Sequence, residues 1–322
     1  MFATMKQIFK PENKDLRKRI YFTLFCLFIF KLGTTIIVPG VDSKLLGSNL
    51  GFLELINAMG GGALEKFSVF ALGVMPYITA TILMQLLQEV LPSLQELSKQ
   101  GYIGRQKINR ISRYIGILFA FIEGYAFSFM FLGKAAQPME YLYVSLILTA
   151  GTALLLWLGD QISQKGIGNG ISLIIMAGII STVPKMFIDT FSTLVTSRTG
   201  SLFIGIVGFS LFVLLYLLIV VGVVFEECSE RRIPIQYSNR TTASYGGKQN
   251  YIPFKINSAG VMPVIFASVL LSIPTFIAGI LGSDSGFSLF VSKYIDYSTP
   301  VGFVLYMILI WVTFLHLVKI NN

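Results

Sequence analysis

The sequence predicts an all-α, polytopic membrane protein, and three observations carry that prediction. Of its 322 residues, 54% are hydrophobic and only 13% are charged, with a mean hydropathy of +0.73. A soluble domain carries about 25% charged residues. Eight nearly uncharged runs of 17 or more residues punctuate the chain. A short motif also recurs at a fixed distance, and the same shift maps spans onto spans.

The runs are Ile20–Val38, Val69–Val90, Tyr114–Phe131, Leu142–Leu158, Ile171–Ile188, Leu202–Phe225, Ala259–Leu281 and Pro300–Val318. A helix rising 1.5 Å per residue crosses a hydrocarbon layer of about 30 Å with roughly 17–25 residues, so each run suffices. A helix satisfies its own backbone hydrogen bonds, as lipid requires. The alternating segments of about ten residues that mark a membrane β-barrel are missing.

Lys and Arg outside the runs fix an expected orientation. Seventeen fall in the N-terminal segment and in the second–third, fourth–fifth and sixth–seventh connections, against six on the other side when Lys185, near the end of the fifth run, is counted with its connection. The positive-inside rule then places the N-terminus in the cytoplasm of a multi-pass cell-membrane protein. The net charge of +9 is mostly topological on this reading. The first run follows a long basic segment and lacks a small-x-small cleavage site, so it reads as a retained anchor. Cys26 and Cys228 with the single histidine, His316, do not complete a typical zinc site. No nucleophile–histidine–acid set or nucleotide loop is present either, so the expectation is a protein that is not an enzyme and needs no cofactor.

The recurring motif is LGVMPYITA at 72–80 and AGVMPVIFA at 259–267, sharing Gly-Val-Met-Pro-x-Ile-x-Ala at an offset of 187. Shifting the third run by 187 lands within the eighth, and shifting the first overlaps the sixth. The copies fall in the second and seventh runs, an odd step of five along the order of spans, so they cross the membrane in opposite senses. Such inverted repeats put a functional site at the repeat interface near the midplane, marked by Gly and Pro that interrupt a helix in each copy. The offset also assigns the fourth and fifth spans partners at about 329–345 and 358–375, beyond Asn322.

Several stretches resemble one family. SVFALGVMPYITATILMQLL at 68–87 and WLGDQISQKGIGNGISLII at 157–175 resemble the two signatures of SecY, and FKINSAGVMPVIFAS at 254–268 resembles the start of its seventh helix. The resemblance implies a pore of two inverted five-helix halves, of which eight of ten transmembrane helices are present. It divides the chain into an N-terminal half at 1–191 and an incomplete C-terminal half at 202–322. Val74, Ile78, Ile171, Ile175 and Ile265 would form an aliphatic pore ring, because apolar constrictions dewet and close loosely around any passing sequence. FLELINAMGGGALEKF at 52–67 would be the plug, with Asn57 and with Gly60, Gly61 and Gly62 as its hinged element. Second–third and seventh–eighth helices would flank a lateral gate. The loop at 226–257 would dock the ribosome or the SecA motor through Arg231, Arg232, Arg240 and Lys248.

The implied function is a protein-conducting channel that passes unfolded secretory polypeptides across the membrane and releases apolar segments into lipid. The implied partners are SecE, SecG, SecA, the ribosome, the nascent secretory polypeptide and membrane lipid. Two alternatives stay open at this point: a truncated, non-conducting remnant, and a secondary transporter, which would line its helix breaks with polar ligands rather than the Val, Met and Ile found here. Lys31 and Glu123 sit inside spans, where ionisable groups are costly and often functional; the sequence suggests that they pair.

Overall fold

The computed structural model describes residues 13–41, 53–132, 137–196, 202–234, 251–255, 257, 260–281, 285–296 and 299–321. Each of the eight apolar runs contributes a helix. In chain order the elements are α1 (Lys14–Gly33), α2 (Leu53–Met59), α3 (Met75–Val90), α4 (Pro92–Lys99), α5 (Tyr102–Leu132), α6 (Pro138–Lys165), α7 (Gly170–Phe191), α8 (Leu202–Glu227), β1 (Glu230–Pro234), β2 (Tyr251–Lys255), α9 (Met262–Leu281), α10 (Gly286–Tyr294) and α11 (Pro300–Asn321). Among the described residues, four stretches are long and apolar enough to cross a membrane by length and composition: Tyr102–Leu132, Pro138–Lys165, Gly170–Thr196 and Leu202–Glu227. The last is almost bare of protein cover, with Leu211 and Val221 over 60% exposed, an apolar surface that lipid accommodates and water does not. The chain is a membrane protein.

Two boundaries differ from the sequence expectation. The second and seventh helices start at Met75 and Met262, not at Val69 and Ala259. Gly73 and Gly260 share a left-handed φ of +58°, and Pro76 and Pro263 stand at the second helical residue of α3 and α9. Proline suits a first turn because the amide it lacks would have no partner there, and glycine adopts φ > 0 without penalty. The repeated Gly and Pro therefore begin each helix rather than interrupt it. The segment ahead of α3 is apolar because it is buried in turns: the Val69 amide donates to the Ile36 carbonyl at 2.9 Å, and Ile37 bridges Ser68.

The chain divides into two compact units, Met1–Lys185 with Ser268–Met307, and Met186–Ala267 with Ile308–Asn322. In the first unit, α5 packs against both α6 and α3 through small residues and short polar bonds, as helices in lipid do. The Ser145 hydroxyl donates to the Phe121 carbonyl at 2.9 Å and the Ser128 hydroxyl to the Tyr141 carbonyl at 3.2 Å. A β-carbon at Gly116 would crowd Tyr77, and one at Gly151 would strike the Val69 carbonyl. The α6–α7 turn is tied back to α1, where the Thr23 hydroxyl accepts from the Ile167 amide at 3.2 Å.

In the second unit, Phe187 meets Phe212 and Tyr216 edge-on, and Phe191 meets Phe209. The Thr313 hydroxyl donates to the Pro263 carbonyl at 3.3 Å, tying α11 to the first turn of α9. The connection read as a loop contains a two-stranded antiparallel hairpin, β1 with β2, paired from Glu230↔Lys255 to Pro234↔Tyr251.

Candidate pore and plug site

The site residues arise from the two features just described, the Gly-Val-Met-Pro corners and the helix-turn at 53–67. Val74 caps α3, and its carbonyl accepts from the Ile78 amide at 3.1 Å, so the two stand one turn apart. Both are buried. Ile265 lies three residues into α9, as Ile78 lies three residues into α3, and is buried likewise. Ile171 and Ile175 fall in the first turns of α7, both half-buried, with Ile174 the deeply buried residue between them. Val74, Ile78, Ile171 and Ile175 belong to the first compact unit and Ile265 to the second.

The expected plug is a seven-residue helix, α2, followed by a coil of turns through Phe67. Asn57 organises it: its carbonyl accepts from the Gly62 amide at 2.9 Å and its Oδ1 from the Glu65 amide at 3.0 Å. Gly60 continues from α2, its amide donating a hydrogen bond to the Ile56 carbonyl at 2.9 Å. Gly61 and Gly62 adopt φ of +73° and +80°, a region that side chains resist. Phe67 shares that region at φ +45° despite being β-substituted and fully buried. It is held by the Val38 amide, which donates to its carbonyl at 3.0 Å, and by an edge-on contact with Phe131 at 5.0 Å.

Sequence reasoning missed what grips this coil. The Lys31 ammonium donates to the Gly61 carbonyl at 3.3 Å, and Lys185 pairs with Glu65. The suggested Lys31–Glu123 pair is thereby corrected. Glu123 instead lines, with Thr79, a cavity of about 10 Å³ whose other walls are Ile56, Leu72, Met75, Phe127 and Ser272. The only available sequence signal was the placement of Gly178, Ser181 and Lys185 at helical spacing along one span.

Also in the first unit, Arg113 and Asp160 pair at 2.5 Å, joining α5 to α6. Of the four proposed docking residues, Arg231 and Arg232 stand exposed on β1, the latter with its guanidinium 4.7 Å from the Tyr251 ring centre. Arg240 and Lys248 lie outside the described residues.

A family model described as SecY matches residues 68–320. The protein translocase subunit SecY of Halalkalibacterium halodurans is 43% identical over 324 residues, covering 96% of this chain and 74% of the relative. The corresponding subunit of Bacillus subtilis is 41% identical over 326 residues, with the same coverage of each. Among solved structures, one described as a protein conducting channel aligns with TM-score 0.70 at 20% identity, over 94% of this chain and 71% of that one. Sec61 in the canine ribosome–channel complex aligns with TM-score 0.68 at 20% identity, over 94% and 72%. These structures share the fold. With the family model spanning most of the sequence and close relatives aligned along nearly its whole length, the chain belongs to the SecY family.

Proposed function

We propose that this chain is the protein-conducting channel subunit of a cell-membrane translocase, with its N-terminus in the cytoplasm. It passes unfolded secretory polypeptides and releases apolar segments sideways into lipid. The observation that carries this reading is the matched pair of corners, each delivering a buried aliphatic residue, Ile78 or Ile265, at the same position of a helix that starts with the same backbone turn. Two such helices from inverted halves, 1–191 and 202–322, supply an apolar constriction with Val74, Ile171 and Ile175, and the coil at 53–67 closes it as a plug. Apolar side chains suit the task because they bind no particular sequence and shed water when the pore is empty. The second–third and seventh–eighth helices flank the lateral gate.

Nothing in this mechanism needs a catalytic group, so the driving energy comes from a partner. The named relatives and the ribosome-bound Sec61 support a translocon that works with the ribosome and further subunits; on this proposal those subunits are SecE and SecG, and SecA is the alternative driver. Arg231, Arg232, Arg240 and Lys248 form the cytoplasmic contact with those drivers. The test is photo- or disulfide-crosslinking of a stalled secretory nascent chain to cysteines introduced at Ile78 and Ile265. Both positions are expected to crosslink. A stable, membrane-inserted protein that crosslinks at neither would overturn the proposal.

A further inference from the structure

Three residues on α7 meet the plug coil, and they lie on one face of the helix. Gly178, Ser181 and Lys185 are spaced i, i+3 and i+7, which repeats a single azimuth of a 3.6-residue helix. A β-carbon at Gly178 would strike the Met59 carbonyl at the end of α2. On the facing side, a β-carbon at Gly61 would lie 3.3 Å from the Gly178 Cα and 3.0 Å from the Ser181 hydroxyl. The two backbones thus touch at glycine, with no side chain of either inserted into the other. Around this contact the bonds are polar. The Gly61 carbonyl accepts from Lys31 at 3.3 Å and, as a long second contact at 3.5 Å, from the Ser181 hydroxyl, whose shorter bond goes to the Gly178 carbonyl at 2.8 Å. One turn further along α7, Lys185 pairs with Glu65.

We infer that this face of α7 is a releasable berth for the plug, with Lys185 and Glu65 as the positioning pair that sets how long the plug stays seated. The inference rests on the pore-and-plug reading above. Release is the sense of this contact: smooth glycine-on-glycine contact resists sliding less than interlocked side chains, so parting the coil from α7 pulls no interlocked side chain free, the buried Leu64 and Phe67 of the coil being held elsewhere. The ion pair is half open to solvent, 57% at Lys185 and 42% at Glu65. Pairs of that kind are weak and salt-sensitive. The latch therefore biases the seated state without locking it. The same helix carries Ile171 and Ile175 in its first turns, so one element bears both a stretch of the constriction and the seat of its plug.

The test uses the full chain in proteoliposomes, reading passive ion leak for the wild type, Lys185→Glu, Glu65→Lys, the double swap, and a control lacking residues 53–64. Each single reversal is expected to raise leak about two- to fivefold, the range a solvent-exposed pair supports. The double swap is expected to return it to the wild-type level, and about 1 M salt to erase the differences. A parallel measurement avoids conductance: spin labels at Lys66→Cys and Thr182→Cys, in a Cys228→Ser background, report the distance from the plug coil to α7. Single reversals are expected to add a longer-distance population that the double swap removes. Unchanged distances, or a double swap that behaves like the singles, would overturn the berth. Distances that respond while even the plug-deleted control stays tight would sustain the berth and overturn the pore reading instead.

Discussion

Gly151 has no room for a methyl group: its β-carbon would sit on the Val69 carbonyl, which is backbone and pinned by the neighbouring bridge between Ile37 and Ser68. Gly222, in the bare helix α8, has nothing within 4 Å. Gly151→Ala is therefore expected to cost about 1–3 kcal/mol through overpacking, whereas Gly222→Ala should be neutral or stabilise by up to ~1 kcal/mol through helix propensity. Thermal unfolding of the two variants in detergent checks the contrast. Both glycines look alike in the sequence, since each is a small residue in an apolar run. The same limit explains Lys31 and Glu123. Being costly in lipid, they were legible as residues that need partners, but the partners are set by helix rotation and, for Lys31, by the Gly61 carbonyl, which carries no side-chain signal at all.

The elements were largely legible, because an apolar run of 17 or more residues has few folds available in a membrane. Their ends were less so. Apolarity reports burial, and residues 69–74 are buried in turns rather than wound into α3. The Gly-Val-Met-Pro string held the missing information: glycine at φ > 0 and proline in the first turn define a start. If both corners do the same work, Gly73→Ala and Gly260→Ala should cost the same, about 1–2 kcal/mol each, from forcing an L-residue into the left-handed region. Neither site adds a steric clash, since the closest atom to a new β-carbon at Gly73 is 3.6 Å away and none lies within 4 Å at Gly260. Matched shifts in unfolding temperature are expected; a cost at one site alone would break the equivalence of the copies. The β1–β2 hairpin went unread for a different reason. All ten of its residues are exposed, so no alternation of apolar and polar positions marks it.

At the scale of the whole molecule, the proposed orientation can be checked with the protein's own cysteines. Cys228 is exposed just past α8, and Cys26 is buried within α1. With the N-terminus in the cytoplasm, a membrane-impermeant maleimide should add once to inverted membrane vesicles and not at all to intact cells, measured by gel shift. Labelling of intact cells would reverse the topology. The repeat was the most informative feature of the sequence at this scale, because it related distant spans without any knowledge of their packing. What it left unread was the seating of the coil at 60–67 on α7, which depends on contact between two backbones.

The corners have a consequence in time. Each is closed by bonds to near neighbours: the Gly73 amide donates to the Phe70 carbonyl at 2.8 Å, and the Gly260 amide to the Asn257 side chain at 2.9 Å. Loops of ten residues close in about 10–100 ns, while the ribosome adds residues at about 5–20 per second. Each corner therefore samples its closed form roughly a million times before the next residue is added. Closing of the corners thus sets no limit on how fast α3 and α9 can begin, and any delay in their assembly lies in the packing of whole helices instead.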